Sequence, residues 1–451
     1  MMELQIVSKE TIKPLSATPP QLKKLPLSLF DQQAPKMYIH LLYFYYNHDI
    51  SSGYSRQLLK DSLSKALTFY YPFAGRLRDD GNSINCNDVG AIVSEAKLRC
   101  PMSEFMNNFN LEREEILKLT LSDDINGKDQ RLNPLLCVQL TQFECGGEVM
   151  YVLCSHKVAD LASLTNFIND WAFIARSSRD GNDPPTLNCP PQFNGASFFP
   201  PTKLESGGEL NSRTERQYEN GVSTKRFVFK SSKIASLKGM VCEKVENPTR
   251  VQILTAFIYK AAVSAKESVT GSVPATILLQ TINLRNRVDP PLPATLSGNV
   301  ISWFIGLSRT QEKREMELWN LVGDTKRNFE EYCKTFPTDY RSEEWGLLQR
   351  LHAKESMEDR MINEEDRSLY TCSSWCKFPI YEADFGRGKP GWISVPEFPW
   401  KNMILLMDSK DGEGIEAIVS LDKKEMEVFL QNQQLLSFCE LITPTSNAFL
   451  D

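Results

Sequence analysis

The sequence predicts an α/β protein with mixed sheets, arranged as two unequal halves. Three observations lead there. The chain has 451 residues, and at roughly 100–200 residues per domain that length holds two or three cores. Strand-like runs alternate with helical ones through most of it, the pattern of an α/β architecture. A polar stretch rich in Gly, Pro, Ser and Asn, residues 177–222, divides the halves and has little to bury.

Residues 1–36 read as Pro-rich and irregular. The run "MYIHLLYFYY", residues 37–46, is aromatic and β-branched and reads as a buried strand. Residues 55–71 follow, with Leu59, Leu63, Ala66, Leu67 and Tyr70 on one helical face until Pro72 stops the helix. Two short segments near 83–86 and 91–96 flank the turn sequence "NDVG". Residues 134–160 hold two β-rich runs around Cys145-Gly146-Gly147, a hairpin signature. Val149, Tyr151 and Leu153 share one face of the second run. After Asp160 the period changes to 3.6, with Leu161, Leu164, Ile168, Trp171 and Ile174 in line. Asp160 therefore stands at a helix N-terminus, where exposed N–H groups favour a carboxylate. Beyond the polar stretch, "STKRFVFKSSKIASLKGMV" reads as strand then helix. "NPTRVQILTAFIYKAAVSA" is a capped amphipathic helix, and "ATILLQTINLRNRVDPPLP" a strand running into prolines.

Composition narrows the function. A formal charge of -6 provides no basic surface for nucleic acid. No run of about 18 apolar residues suggests a membrane span, and the N-terminus lacks the apolar core of a signal peptide. The 11 cysteines are scattered; Cys372 and Cys376 are the closest pair, with nothing beside them to complete a zinc site. They read as reduced thiols of a cytoplasmic protein.

Two stretches carry chemistry. In "SHKVAD" His156 sits where a strand ends and a helix begins, with small residues around the turn and Asp160 available to fix its geometry. A neutral imidazole accepts a proton near physiological pH and so suits deprotonation of an alcohol. The competing reading is a space-filling histidine bonded to a carbonyl, which also suits His40 in its aromatic run; His48 and His352 have no evident partner. In "YEADFGRGKPGW" the glycines tolerate positive φ and Pro390 stops the chain, so it reads as a turn. It lacks the lysine and hydroxyl spacing of a P-loop.

Taken together, His-x-x-x-Asp and Asp-Phe-Gly-x-Gly some 230 residues later resemble the BAHD family of plant acyl-CoA-dependent acyltransferases. The likeness covers nearly the whole chain. It includes "IKPLSATPPQLKKLPLSLFDQ", "YYPFAGRL", "NCNDVGA", "FECGG", "NPTRVQ", "INLRNRVDPPLP", "SGNV" and "KNMILLMDSKDGEGIEAIVSL", in the family's order. The nearest branch acylates alkaloid, terpenoid and other specialised-metabolite alcohols. One position departs: the family has tryptophan between the motif glycines, and Arg387 stands there. Arginine is tolerable on the motif's surface, alters the loop if the ring packs, or meets an anionic group.

The resemblance implies two chloramphenicol-acetyltransferase-like domains, residues 1–200 and 223–451, joined by a crossover at 201–222, with a solvent channel between them. It implies His156 as general base and Asp160 as an orienting carboxylate paired with Arg285. Asp384, Gly386 and Gly388 shape a loop, with an auxiliary proton-acceptor role for Asp384 as the alternative. Asn299 is a candidate hydrogen-bond donor to the oxyanion. Thr249 is a candidate pantetheine or phosphate contact, or simply a helix N-cap. The co-substrate is acyl-CoA, acetyl-CoA first, with no metal or bound cofactor and no nucleic-acid or membrane partner. The expected enzyme is a monomer acting on a small-molecule alcohol. Acylation of an amine, or a catalytically silent relative that binds CoA or a metabolite, are the alternatives.

Overall fold

The structure is a computed structural model and describes residues 4–46, 55–78, 81–107, 132–179, 187–201, 221–272, 275–309, 316–335, 367–395 and 400–442. Residues 202–220 of the expected crossover, His48 and His352 lie outside the described residues.

The first sheet has the order β1 (Leu4–Ile12), β6 (Ala91–Leu98), β7 (Leu136–Phe143), β8 (Glu148–Ser155), β3 (Tyr38–Tyr45) and β13 (Trp392–Ser394). It is mixed, because β6 and β7 run parallel while the other pairs are antiparallel. Both its faces are covered. Ile39, Leu41, Tyr43 and Tyr45 of β3 enter one apolar core, and Leu42 and Phe44 enter another. A strand buried on both sides reads as an unbroken apolar run, as this one does. The helices α1 (Leu29–Gln33), α2 (Arg56–Phe69), α3 (Met102–Asn107), α4 (Leu161–Arg179) and α5 (Gly195–Phe198) belong to this half. Ser55 caps α2 by accepting from Leu58 N at 3.0 Å. Trp171 of α4 donates its indole N–H to Leu59 O and Ser62 Oγ of α2, locking the two helices together. The β7–β8 turn closes through Phe143 N to Gly147 O, with Gly146 at φ +86°.

The second sheet runs β11 (Ile301–Arg309), β10 (Ala275–Asn283), β12 (Arg367–Ser374), β14 (Met403–Asp408), β15 (Ile415–Asp422), β9 (Val222–Phe229) and β16 (Glu440–Leu441). It too is mixed, with β10, β12 and β14 parallel. Its helices are α6 (Ser231–Val241), α7 (Arg250–Thr270), α8 (Leu318–Thr335), α9 (Lys423–Phe429) and α10 (Gln433–Leu436). A third, small sheet pairs β2 (Lys24–Pro26), β5 (Ser83–Asn85) and β4 (Arg76–Leu77).

Two features depart from the sequence reading. Residues 1–36, expected to be irregular, hold α1, β2 and, along the edge beside β6, the strand β1 at residues 4–12. Only every fourth residue is even partly covered, so no period-two pattern marks the strand; main-chain hydrogen bonds hold it. The halves are also interleaved: β13, late in the chain, pairs with β3 of the first sheet. Arg226 of β9, buried against Glu416, donates to Ile393 O at 2.7 Å and anchors that strand to the second sheet.

Candidate active site

Three segments converge on His156: residues 28–32, the β8–α4 junction at 155–163, and the β10–β11 connection at 283–300. At the junction His156 N donates to Met37 O at 2.8 Å, which turns the chain out of the strand. Asp160 then caps α4. Its Oδ1 accepts from Ser163 N and Ser163 Oγ, both at 2.9 Å.

The Asp160 carboxylate faces the second half of the chain. Its Oδ2 accepts from Arg285 Nη1 at 2.7 Å and its Oδ1 from Arg285 Nη2 at 3.0 Å, the paired geometry a guanidinium favours. Val300 N adds a further donor at 3.1 Å. Burial alone raises this carboxyl, but the Arg285 charge and these hydrogen bonds hold it below the usual carboxylate range. Arg285 spends its remaining donors on Leu296 O, Gly298 O, Ser163 Oγ and Asn283 Oδ1. The ion pair thus clasps residues 296–300 against the start of α4.

That clasp places Asn299. Its Nδ2 donates to His156 O at 2.7 Å and to Asp31 Oδ1 at 2.9 Å. With both amide protons directed at acceptors, Asn299 Oδ1 faces His156 Nδ1 at 2.9 Å. An amide oxygen can only accept, so the imidazole proton sits on Nδ1 and the lone pair on Nε2. Burial pulls the His156 pKa below its ordinary value, against the opposing pull of its hydrogen bonds and Asp160. The residue as a whole is half-buried. The result is a neutral imidazole, fixed in orientation, with a basic nitrogen free: the equipment of a general base.

Asn299 itself is 1% exposed, and both its amide protons are already given away. The geometry therefore makes it an orienting group for His156, in place of the oxyanion donor the sequence suggested. Thr249 is exposed and its hydroxyl accepts from Gln252 N in a capping box, so the helix-cap alternative describes its geometry.

Asp384, Gly386 and Gly388 lie elsewhere. Asp384 Oδ1 accepts from Gly386 N at 2.8 Å and Gly388 N at 2.9 Å, with both glycines at positive φ. Phe385 is fully buried beside Trp171 and Tyr45. Arg387 stacks on the Tyr45 ring with its guanidinium carbon 3.9 Å from the centroid, and its Nη2 lies 2.8 Å from Glu148 Oε1. A planar cation over an aromatic face, closed by a carboxylate, replaces the tryptophan. Glu148 opens β8 and Ser155 ends it, so the loop stands about 23 Å along the strand from the His156 end. Asp384 organises a turn at that distance, and the auxiliary proton-acceptor alternative has no geometric support.

Sequence reasoning missed Asp31, Lys157, Ser163 and Gly298. Lys157 Nζ donates to Gln32 O at 2.8 Å and Asp31 O at 3.3 Å, and burial pulls its pKa down to about 8. Gly298 has φ +116°, and a Cβ there would stand 3.2 Å from Asp31 Oδ1. The Ser28-x-x-Asp31 spacing is a capping-box signature and could have marked α1, though not its second use.

Residues 2–436 match the Transferase family. The chain is 36% identical over 450 residues to diaboline synthase of a Strychnos species, covering 98% of this chain and 92% of that protein. It is 34% identical to 17,18-epoxy-17-hydroxycur-19-ene N-malonyltransferase of Strychnos nux-vomica, over 98% of this chain and 91% of the relative. Among solved structures it resembles vinorine synthase, with a TM-score of 0.77 and 30% identity, covering 98% of this chain and all of the other. Among the described residues no helix is long and apolar enough to cross a membrane, and no cluster of side chains suits a metal ion.

Proposed function

The chain belongs to the BAHD branch of the Transferase family and is an acyltransferase; from that premise we propose that it moves an acyl group, acetyl in the first instance, from acyl-CoA to a hydroxyl of a plant specialised metabolite, with His156 as general base. The observation that carries the reading is the hydrogen bond from His156 Nδ1 to Asn299 Oδ1, which leaves Nε2 as the proton acceptor. As the acceptor's oxygen attacks the thioester carbonyl, Nε2 takes its proton. The tetrahedral intermediate collapses to the ester, the C–S bond breaks, and the imidazolium returns the proton to the departing thiolate as CoA-SH. No covalent acyl-enzyme is required. Proton transfer by a placed base contributes roughly 10²–10⁴-fold, and holding two substrates together adds to it. The oxyanion donor must come from a group other than the committed Asn299 amide.

In this reading the domains span 1–200 and 223–451, with β13 of the later stretch lent to the first sheet, His156 is reached through a channel between them, and the enzyme is a cytoplasmic monomer. A second reading, transfer to an amine nitrogen, is supported by the relative named as an N-malonyltransferase. The same base serves either nucleophile.

The test is His156→Ala. Purified wild-type protein is incubated with acetyl-CoA and a panel of alcohols and amines, with products identified by mass and CoA-SH by thiol trapping. The variant is expected to keep its circular dichroism and unfolding midpoint and to lose ester formation. Near-normal turnover in the variant refutes the assignment; amide products alone from the wild type favour the second reading.

A further inference from the structure

We propose that Asp31 is a positioning residue for His156: it holds the Asn299 carboxamide in the one orientation that keeps a proton on His156 Nδ1 and leaves Nε2 basic. The inference rests on the reading of His156 as base and extends it to a residue 125 positions earlier.

Asp31 Oδ1 accepts twice from one residue, from Asn299 N at 2.7 Å and Asn299 Nδ2 at 2.9 Å. Its Oδ2 accepts from Ser28 N at 3.0 Å and Ser28 Oγ at 2.6 Å. Each oxygen thus has two donors, and a carboxylate has no donor of its own to offer. That one-way character gives direction. An Asn299 turned by 180° would point its Oδ1 at a carboxylate and at His156 O, and would offer N–H to His156 Nδ1. The proton would then move to Nε2, and the base would be lost. Burial raises the Asp31 carboxyl above its ordinary value, and its four hydrogen bonds pull the other way, toward the charged form.

The placement is built, not incidental. Lys157, next in sequence to His156, grips α1 through Asp31 O and Gln32 O. Gly298, lacking a Cβ, lets the Asn299 backbone reach the carboxylate. Residues 28–32 are therefore tied both to the segment that carries His156 and to the segment that orients it.

The test is ¹⁵N NMR on enzyme labelled at histidine. The chain has only four histidines, and the His156 signals are assigned by their loss in His156→Gln. In wild type Nδ1 is expected to be protonated and Nε2 bare; the reverse tautomer overturns the proposal outright. Asp31→Ala is expected to lose this preference and to lower kcat by roughly 10²–10⁴-fold, the contribution of a placed base, with KM for acetyl-CoA changed only a few-fold. Asp31→Asn, whose carbonyl can turn to Asn299, is expected to recover part of that loss. Ser28→Ala removes one of the two donors on Asp31 Oδ2 and leaves both Asn299 bonds, so its losses of tautomer preference and of kcat should be clearly smaller than those of Asp31→Ala. If Ser28→Ala is as damaging as Asp31→Ala, Asp31 is only a helix cap and the proposal fails. Should Asp31→Ala not fold, the wild-type tautomer together with Asp31→Asn and Ser28→Ala decides. An active His156→Ala removes the base assignment, while the tautomer data still judge the Asp31 link.

Discussion

Asp160→Ala should unfold this protein more readily than it slows a folded copy. In the native state the carboxylate accepts five hydrogen bonds, from Ser163 N, Ser163 Oγ, Arg285 Nη1, Arg285 Nη2 and Val300 N. The pair is nearly dry, with Arg285 and Asp160 side chains 6% and 3% exposed. Alanine leaves a guanidinium buried without a counter-charge, a change that costs about 3–5 kcal/mol. It also strands Ser163 N and Val300 N, at about 1–3 kcal/mol each where water cannot reach them. Arg285 keeps four acceptors, Leu296 O, Gly298 O, Ser163 Oγ and Asn283 Oδ1, and water entering the void relieves part of the rest, so we expect about 3–5 kcal/mol in total. Against a native stability of about 5–15 kcal/mol, that is from a fifth to the whole of it. Urea unfolding followed by tryptophan fluorescence measures it, on Asp160→Ala, Arg285→Ala and the double variant. Because each single change leaves the other group exposed to the same loss, the double variant should cost less than the sum by about 0.5–3 kcal/mol. A single variant within about 1 kcal/mol of wild type, or strictly additive effects, refutes the clasp.

The remaining expectations concern the base and the loop that orients it. With His156 lowered from its ordinary value by burial, the acidic limb of kcat/KM against pH should have its midpoint below about 6.5; a midpoint above 7 contradicts a desolvated neutral base. Linkage has the same sign: the unfolded chain binds the proton more tightly, so this histidine's contribution to stability is complete above about 6.5 and declines as pH falls toward the folded value. Gly298→Ala puts a Cβ 3.2 Å from Asp31 Oδ1 at a φ of +116°, and should cost about 1–3 kcal/mol in strain as well as kcat. Gly388→Ala, at φ +91° with open space around it, carries strain without that collision and should leave kcat nearly intact; equal losses of kcat in the two variants would count against the role given to the 298–299 loop.

Much of the site was legible because its residues sit at local signals. Asp160 follows a strand and opens a 3.6-periodic run, so its capping role is a matter of nearest neighbours. Thr249 and Gln252 announce a capping box in the same way. Family likeness supplied the Arg285 pairing, which the coordinates contain at 2.7 Å. Asn299 was found but given the wrong direction, since the two acceptors that take its amide protons come from residues 31 and 156. Arg387 was left between three readings, and of these a meeting with an anionic group describes its geometry, with Glu148 at its Nη2 and the Tyr45 ring under its plane. The edge strand at 4–12 was missed because main-chain pairing leaves no mark on side-chain order.

The amino-acid order alone determined the α/β class, the helices α2, α4, α6 and α7, the hairpin before His156 and the capping chemistry of Asp160, all written in contacts a few residues long. Only the tertiary structure decided which imidazole nitrogen is basic. That choice depends on an amide held by acceptors from distant parts of the chain, and hydrogen-bond direction across such separations is set by where the backbone is brought, which no local pattern encodes.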